Sequence, residues 1–223
     1  MKLQELAARS GISAASIKFY LREGVLPPGR LKNATTASYE DRHLERLAFI
    51  RTMRHLVRAP LTQIRHVTRL IDNTDVPLLD VMEACQCVAL GLDPAASRQP
   101  PGSPDDDAEA TAAHLARLMG WPNIPTRARA SMVETLRALK DEGVSVSADS
   151  LAAHAMAVTP LARANVGGVL PGGASRDAVA RSVLLGTHAH TRMLAAVSAM
   201  AHTYASIAEV TAEMPPAQPP AGR

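Results

Sequence analysis

Lys18 and Arg22 stand four residues apart and Ala14 precedes Lys18 by four. On a helix these three share one face, small at one end and cationic at the other. Such a face suits a DNA major groove, with cations beside phosphates and small residues beside base edges. After the double proline Pro27-Pro28, Arg30 and Lys32 lead through Thr35 and Thr36 to Tyr39, a pattern that allows a short hairpin pressed on backbone phosphate. Cys85 and Cys87 could offer thiolates for metal or redox sensing. Two positions apart on a helix, however, they point about 200° from each other. Cys85 also falls on the face of Leu78, Met82 and Ala89, where a free cysteine acts as a small core residue. His188 and His190 are spaced in the same way, and His114, His154 and His202 show no regular ligand spacing, so no metal site is expected. Trp121, Met156, His188, Met193 and Met200 could line an adaptable apolar pocket for a small-molecule effector, plain core being the other reading. No Ser/His/Asp order, phosphate loop or carboxylate pair stands out, so neither catalysis nor a cofactor is expected.

The elements needed to position Lys18 and Arg22 follow from local spacing. Leu3, Leu6 and Ala7 mark one helical face, and Gly11 supplies a residue able to take positive φ in a tight turn. Ser13 is a good N-cap for a second helix from about Ala14 to Glu23, stopped at Gly24. Ile12, Ile17 and Leu21 can then face the core. Helix, short glycine turn and second helix is helix-turn-helix spacing. Glu40 and Asp41 open a further helix with acidic residues at its positive end, and Leu44, Leu47, Ala48, Ile50, Met53 and Leu56 form its apolar face. Pro60 suits the first turn of the next one, which carries Leu61, Ile64, Val67, Thr68 and Ile71 inward and Arg65 and Arg69 outward.

The runs Leu3-Gln4-Glu5-Leu6-Ala7, Ser10-Gly11-Ile12-Ser13 and Ile17-Lys18-Phe19-Tyr20-Leu21-Arg22-Glu23-Gly24-Val25-Leu26-Pro27-Pro28 resemble the DNA-binding domain of the MerR family. Tyr39 and the Leu44–Ile50 helix continue the pattern, so the likeness covers about residues 1–72. It implies a winged helix-turn-helix whose second helix enters the major groove while the wing grips flanking phosphate. Residue by residue, it assigns DNA contact to Ser16, Lys18, Tyr20 and Arg22, and wing contact to Arg30, Tyr39 and Arg42. It also implies a homodimer on double-stranded operator DNA, with RNA polymerase at the promoter. Many members have Arg-Tyr-Tyr where this chain has Lys18-Phe19-Tyr20, which exchanges a forked guanidinium for a point charge. Phe19 and Phe49 are assigned to the core. Typical members follow the head with one long helix that pairs antiparallel with its twin. Here the next helix, Leu78 to about Leu90, is short, which shifts dimerisation towards the downstream body.

Composition agrees with a DNA-reading head and a separate body. The chain has 223 residues, 47% hydrophobic and 20% charged, an ordinary globular balance that argues against wholesale disorder. Residues 1–73 hold 13 Lys and Arg against 6 Asp and Glu, while residues 74–223 hold 11 against 15. A basic head on a mildly acidic body suits a nucleic-acid reader with an attached module. Four of the six aromatics lie in the first fifty residues, so the rest of the core must come from Ala, Leu, Val and Met, which favours helices. The start is polar and no apolar run approaches the roughly 18–20 residues of a membrane span, so a cytoplasmic protein without membrane contact is expected.

The spacing predicts a mainly α fold: an N-terminal winged helix-turn-helix over 1–73, a short helix and Pro-rich linker over 74–107, an all-helical effector and dimerisation domain over 108–213, and a disordered tail over 214–223. Within the body, helices are expected from Ala108 to Gly120, from Thr126 to Gly143, and from a cap at Ser147 or Asp149 up to Pro160. A glycine loop over 166–173 and one or two long helices from Arg176 to about Glu213 complete it. Val183-Leu184-Leu185-Gly186-Thr187 followed by the Leu194–Tyr204 helix resembles the effector domains of TetR-like regulators. The function implied is a DNA-binding transcriptional regulator answering an unknown effector. The alternative is a small-molecule-binding, drug-sequestering protein with a vestigial head.

Overall fold

A computed structural model of the chain describes residues 1–31, 37–99, 106–167 and 173–213. The wing residues Lys32, Thr35 and Thr36, the proline-rich stretch 100–105, the glycine stretch 168–172 and the tail 214–223 lie outside the described residues. The fold is mainly α. In chain order it runs α1 (Leu3–Ser10), α2 (Ala14–Arg22), β1 (Arg30–Leu31), β2 (Ala37–Ser38), α3 (Asp41–Arg51) with a π-helical turn Thr52–Leu56, α4 (Leu61–Asp72), α5 (Leu78–Ala89), α6 (Asp107–Met119), α7 (Arg127–Asp141), α8 (Ala148–Gly167) and α9 (Arg176–Glu213).

Local chemistry sets most of these boundaries. Gly11 takes φ of 67° as α1 ends, so the chain turns within three residues into α2, where the Ser13 hydroxyl accepts from the Ser16 amide at 3.1 Å. Asp106 and Thr126 cap α6 and α7 in the same way. In α8 the helix passes the expected stop at Pro160 and continues to Gly167. Pro160 is exposed, so the carbonyl deprived of its partner can turn to water, and the Thr159 hydroxyl bonds back to the Ala155 carbonyl at 2.7 Å.

The chain divides into two compact units, Met1–His188 and Ala189–Arg223. In the first, one hydrophobic core runs from Leu6 and Ile17 through Leu47, Phe49, Ile50 and Met53 to Ile64, Val67, Val81 and Cys85. It also takes in Val179, Ala180, Val183 and Leu184 from the start of α9. The expected grouping of 108–213 as a module apart from the head therefore differs from the packing, because the first turns of α9 return to complete the head's core. A smaller core joins Ala108 and Ala112 of α6 to Val133 and Leu136 of α7, with Leu151 of α8 against it. Ion pairs stitch α6 to α7: Arg129 with Glu109, and Arg137 with Asp106 at 2.5 Å. The second unit, over its described residues 189–213, is the remainder of α9. The long helix that the sequence does not place directly after the head is present as the last element of the described residues, and the residues carrying the TetR likeness all lie in it.

Candidate nucleic-acid interface

α2 presents Lys18, Phe19 and Arg22 to solvent, with Ser16 half-buried beside them. Phe19, expected in the core, is 38% exposed, and Tyr20, expected on the DNA face, is 9% exposed. Helical spacing explains the exchange: with Ile17 wholly buried, Tyr20 three residues on shares its inward face, whereas Phe19 two residues on points away. The two rings meet edge to face at 5.7 Å. The backbone carbonyl of Tyr20 accepts from the Val25 and Leu26 amides, so the residue also turns the chain out of α2. At the end of α2, Arg65 Nη2 on α4 donates to Glu23 Oε2 at 2.5 Å, tying α2 to the layer behind it.

The wing pairs Arg30 with Ser38 and Leu31 with Ala37 in antiparallel register. Arg30 is exposed, as is Arg42, which pairs with Glu40 at 3.2 Å. Tyr39 departs from its expected wing role: its ring is 7% exposed and stands edge-on to His43 at 5.2 Å. A Cβ at Gly29 would come within 2.8 Å of the Ser38 carbonyl and 2.9 Å of the Tyr39 ring, so glycine lets the wing close over that ring. The Glu40 amide donates to His43 Nδ1 at 2.9 Å, and Nε2 faces the Pro28 carbonyl at 3.4 Å. The tyrosine and histidine thus pack beneath the wing, while Arg30 on β1 and Arg42 on α3 face solvent.

Beneath this face lies a charge cluster that the sequence reading missed. Arg46 of α3 is 2% exposed. Its guanidinium donates to Asp177 Oδ1 at 2.5 Å, Asp72 Oδ1 at 2.5 Å and the Val25 carbonyl at 3.1 Å. Burial works to lower the Arg46 pKa, but the bonds to Asp72 and Asp177 outweigh it and raise it, so the residue stays a cation. Burial likewise pushes the Asp177 carboxyl up, and the same guanidinium opposes that shift. Arg176 caps α4 from outside the helix, donating to the Leu70, Ile71 and Val76 carbonyls at 2.9–3.0 Å. No local signal could have paired residues 131 positions apart. The one available hint was an arginine within an otherwise inward-facing stretch of α3.

The remaining candidates are dispersed. Trp121 follows α6, Met156 is on α8, and His188, Met193 and Met200 are on α9; Trp121, Met156, Met193 and Met200 are all exposed. Cys85 and Cys87 are both buried on α5, and burial raises both thiol pKa values, which keeps them protonated and unsuited to thiolate chemistry. Among the described residues no cluster of three His, Cys, Asp or Glu is placed to hold a metal ion, and no helix is long and apolar enough to cross a membrane.

Comparison with known proteins bears on this head first. Residues 1–70 match the profile of the MerR HTH family regulatory proteins, so the head carries a MerR HTH family domain. Over 56 residues the chain is 34% identical to the HTH-type transcriptional regulator ZntR homolog of Haemophilus influenzae, covering 25% of this chain and 42% of that protein. Over 55 residues it is 29% identical to the HTH-type transcriptional regulator AdhR of Bacillus subtilis, covering 25% and 39%. The chain thus spans about two fifths of the length of these curated relatives. A crystal structure described as that of the "putative transcriptional regulator SCO5550 from Streptomyces coelicolor A3(2)" matches far more of the chain. It superposes with a TM-score of 0.64 at 26% identity, covering 92% of this chain and 96% of that one.

Proposed function

We propose that this protein is a transcriptional regulator that binds operator DNA as a homodimer. The observation that carries the reading is the solvent-facing surface of α2, where Lys18 and Arg22 flank the exposed ring of Phe19 within a MerR HTH family domain. Ser16, Lys18 and Arg22 meet base edges and phosphate in the major groove, Phe19 offers an apolar edge for a thymine methyl, and Arg30 and Arg42 hold flanking phosphate. The regulator works in the cytoplasm, answers a small-molecule effector and acts on RNA polymerase at the promoter, without catalysis of its own.

A second copy of the chain is the partner that the second unit fits. Met193, Val197, Met200, Tyr204 and Ile207 repeat at alternating spacings of four and three, and each is more than half exposed. That is the heptad pattern of a helix pair. Over 189–213 the charged residues are Arg192, Glu209 and Glu213, too few to solvate a free helix well. An antiparallel pair centred near Met200 stacks Met193 on Ile207 and Val197 on Tyr204. This supports dimerisation through α9.

The test is a gel-shift titration at fixed salt with DNA from immediately upstream of the coding sequence. Replacing Lys18 and Arg22 together with alanine is expected to cost about 2–4 kcal/mol of binding and to flatten the salt dependence. Unchanged affinity would refute the reading.

A further inference from the structure

Among the described residues of the head, the exposed large hydrophobic side chains are Phe19, Leu31 and Leu56. Phe19 lies on the outer face of α2, and Leu56 closes the π-helical turn after α3. Leu31, on β1 of the wing, is 72% exposed, more than any other large hydrophobic residue described. A lone exposed leucine is common on protein surfaces. The setting of this one is not.

The ribbon that carries Leu31 is fixed at both ends. Ahead of β1, His43 Nε2 meets the Pro28 carbonyl at 3.4 Å. After β2, the Tyr39 amide donates to the Met1 carbonyl at 2.8 Å, and the Met1 amine donates to the Tyr39 carbonyl at 2.7 Å. Opposite residues of an antiparallel pair share a face, so Leu31 stands on the face of its partner Ala37. Ala37 packs against the head's core, while Leu31 reaches past that contact into solvent. A side chain displayed from a fixed ribbon has less freedom to lose on binding.

Charge selects what Leu31 can meet. Arg30 beside it is exposed, and the acids at the foot of the wing are answered: Glu40 pairs with Arg42, and Asp41 with Arg9. The wing is therefore drawn to a polyanion, the DNA proposed for α2. A leucine gains little against phosphate, which keeps its water. DNA offers it apolar surface at thymine methyls in the major groove, at the sugar walls of the minor groove and on the faces of unstacked bases. With α2 in the major groove, a basic arm beside it falls on the neighbouring minor groove. Apolar side chains that enter that groove wedge open a base step.

We propose that Leu31 is a minor-groove wedge: it enters the groove flanking each half-site, with Arg30 on the adjoining phosphate, and partly unstacks one base step. That step is pyrimidine–purine, TA or CA, because such steps open at least cost. Leu31 thereby sets sequence preference outside the bases that α2 meets. The proposal rests on the DNA-binding reading and adds this contact to it.

The experiment uses the full chain and the upstream DNA of the gel-shift titration, with 2-aminopurine replacing one adenine at a time. On binding, fluorescence at one flanking step on each side should rise at least about threefold as the base unstacks. Leu31→Ala should remove that rise and weaken binding about tenfold, with the salt dependence unchanged because no cation is lost. Leu31→Met, apolar and of similar volume, should retain both the rise and the affinity. Replacing the opened step by GG should weaken the wild-type complex about fivefold and the Leu31→Ala complex hardly at all. Because Leu31 is exposed, thermal melts of all these variants should match the wild type. Tighter binding with a steeper salt dependence in Leu31→Lys would place the residue on phosphate and overturn the proposal. An affinity of Leu31→Ala within about twofold of wild type, no fluorescence rise in the flanks, or a rise that survives Leu31→Ala would overturn it equally. Wild-type protein that binds no DNA would sink the regulator reading and the wedge together. Binding that is lost on changing Lys18 and Arg22 but indifferent to Leu31 would sink the wedge alone.

Discussion

Within the single helix α9, two stretches of similar apolar content meet opposite fates. The stretch that opens the helix buries Val179, Ala180, Val183 and Leu184 in the head's core and anchors Arg176 and Asp177 in its polar network. From residue 189 onward, Met193, Val197, Met200, Tyr204 and Ile207 remain more than half exposed. Apolar composition gives a helix a tendency to be covered, but whether the cover comes from its own chain depends on what else folds against it. The opening stretch is finished within one chain. The closing one is finished by a second, on the reading proposed above.

The largest effect that could break this contrast comes from Arg46. Changing Arg46 to alanine strands the largely buried Asp177, while the half-exposed Asp72 can turn to water, and should lower unfolding free energy by about 3 kcal/mol in urea melts. A loss under 1 kcal/mol would show that α9 is not anchored in the head by this network. The double variant Val197→Glu with Tyr204→Glu acts on the other stretch. It should weaken dimerisation at least about a hundredfold, by analytical ultracentrifugation, while leaving the melting of the monomer nearly unchanged. If that melting fell as far as it does for Arg46→Ala, the closing stretch would be part of the monomer's own core.

Smaller effects sharpen the account of the head. Phe19→Ala should cost about 1 kcal/mol of operator binding and relax preference at one base pair, whereas a core phenylalanine such as Phe49 would cost about 3–5 kcal/mol of stability. Binding to operator variants, set beside thermal melts, separates the two. The smallest effect is the pH dependence of His66. Its folded pKa lies below its unfolded value near 6.5, so below that pH the unfolded chain takes up the proton more readily. Stability should therefore decline as pH falls through 6.5 towards the folded value, and His66→Phe should flatten that decline in denaturation curves recorded across the range.

The head's helices, the Ser13 cap and the outward Lys18 and Arg22 are legible in the sequence because each rests on neighbours within four residues. The exchange of Phe19 and Tyr20 was legible in principle, since the phase of Ile17 decides it. Tyr39 was harder: only the closure of the wing over Gly29 shows that its ring turns inward.

What the linear order of residues determined by itself was local: which stretches coil, where caps and turns begin them, which face of α2 is cationic, and that the first third of the chain is basic. These follow from interactions that short segments make with themselves and with water. Tertiary structure alone decided that Asp177 answers Arg46, that Arg176 closes the end of α4, and that a cleft opens beside His66. Those outcomes depend on bringing distant segments together, and the free energy of doing so is set by how well whole surfaces fit, a quantity no window of neighbouring residues contains.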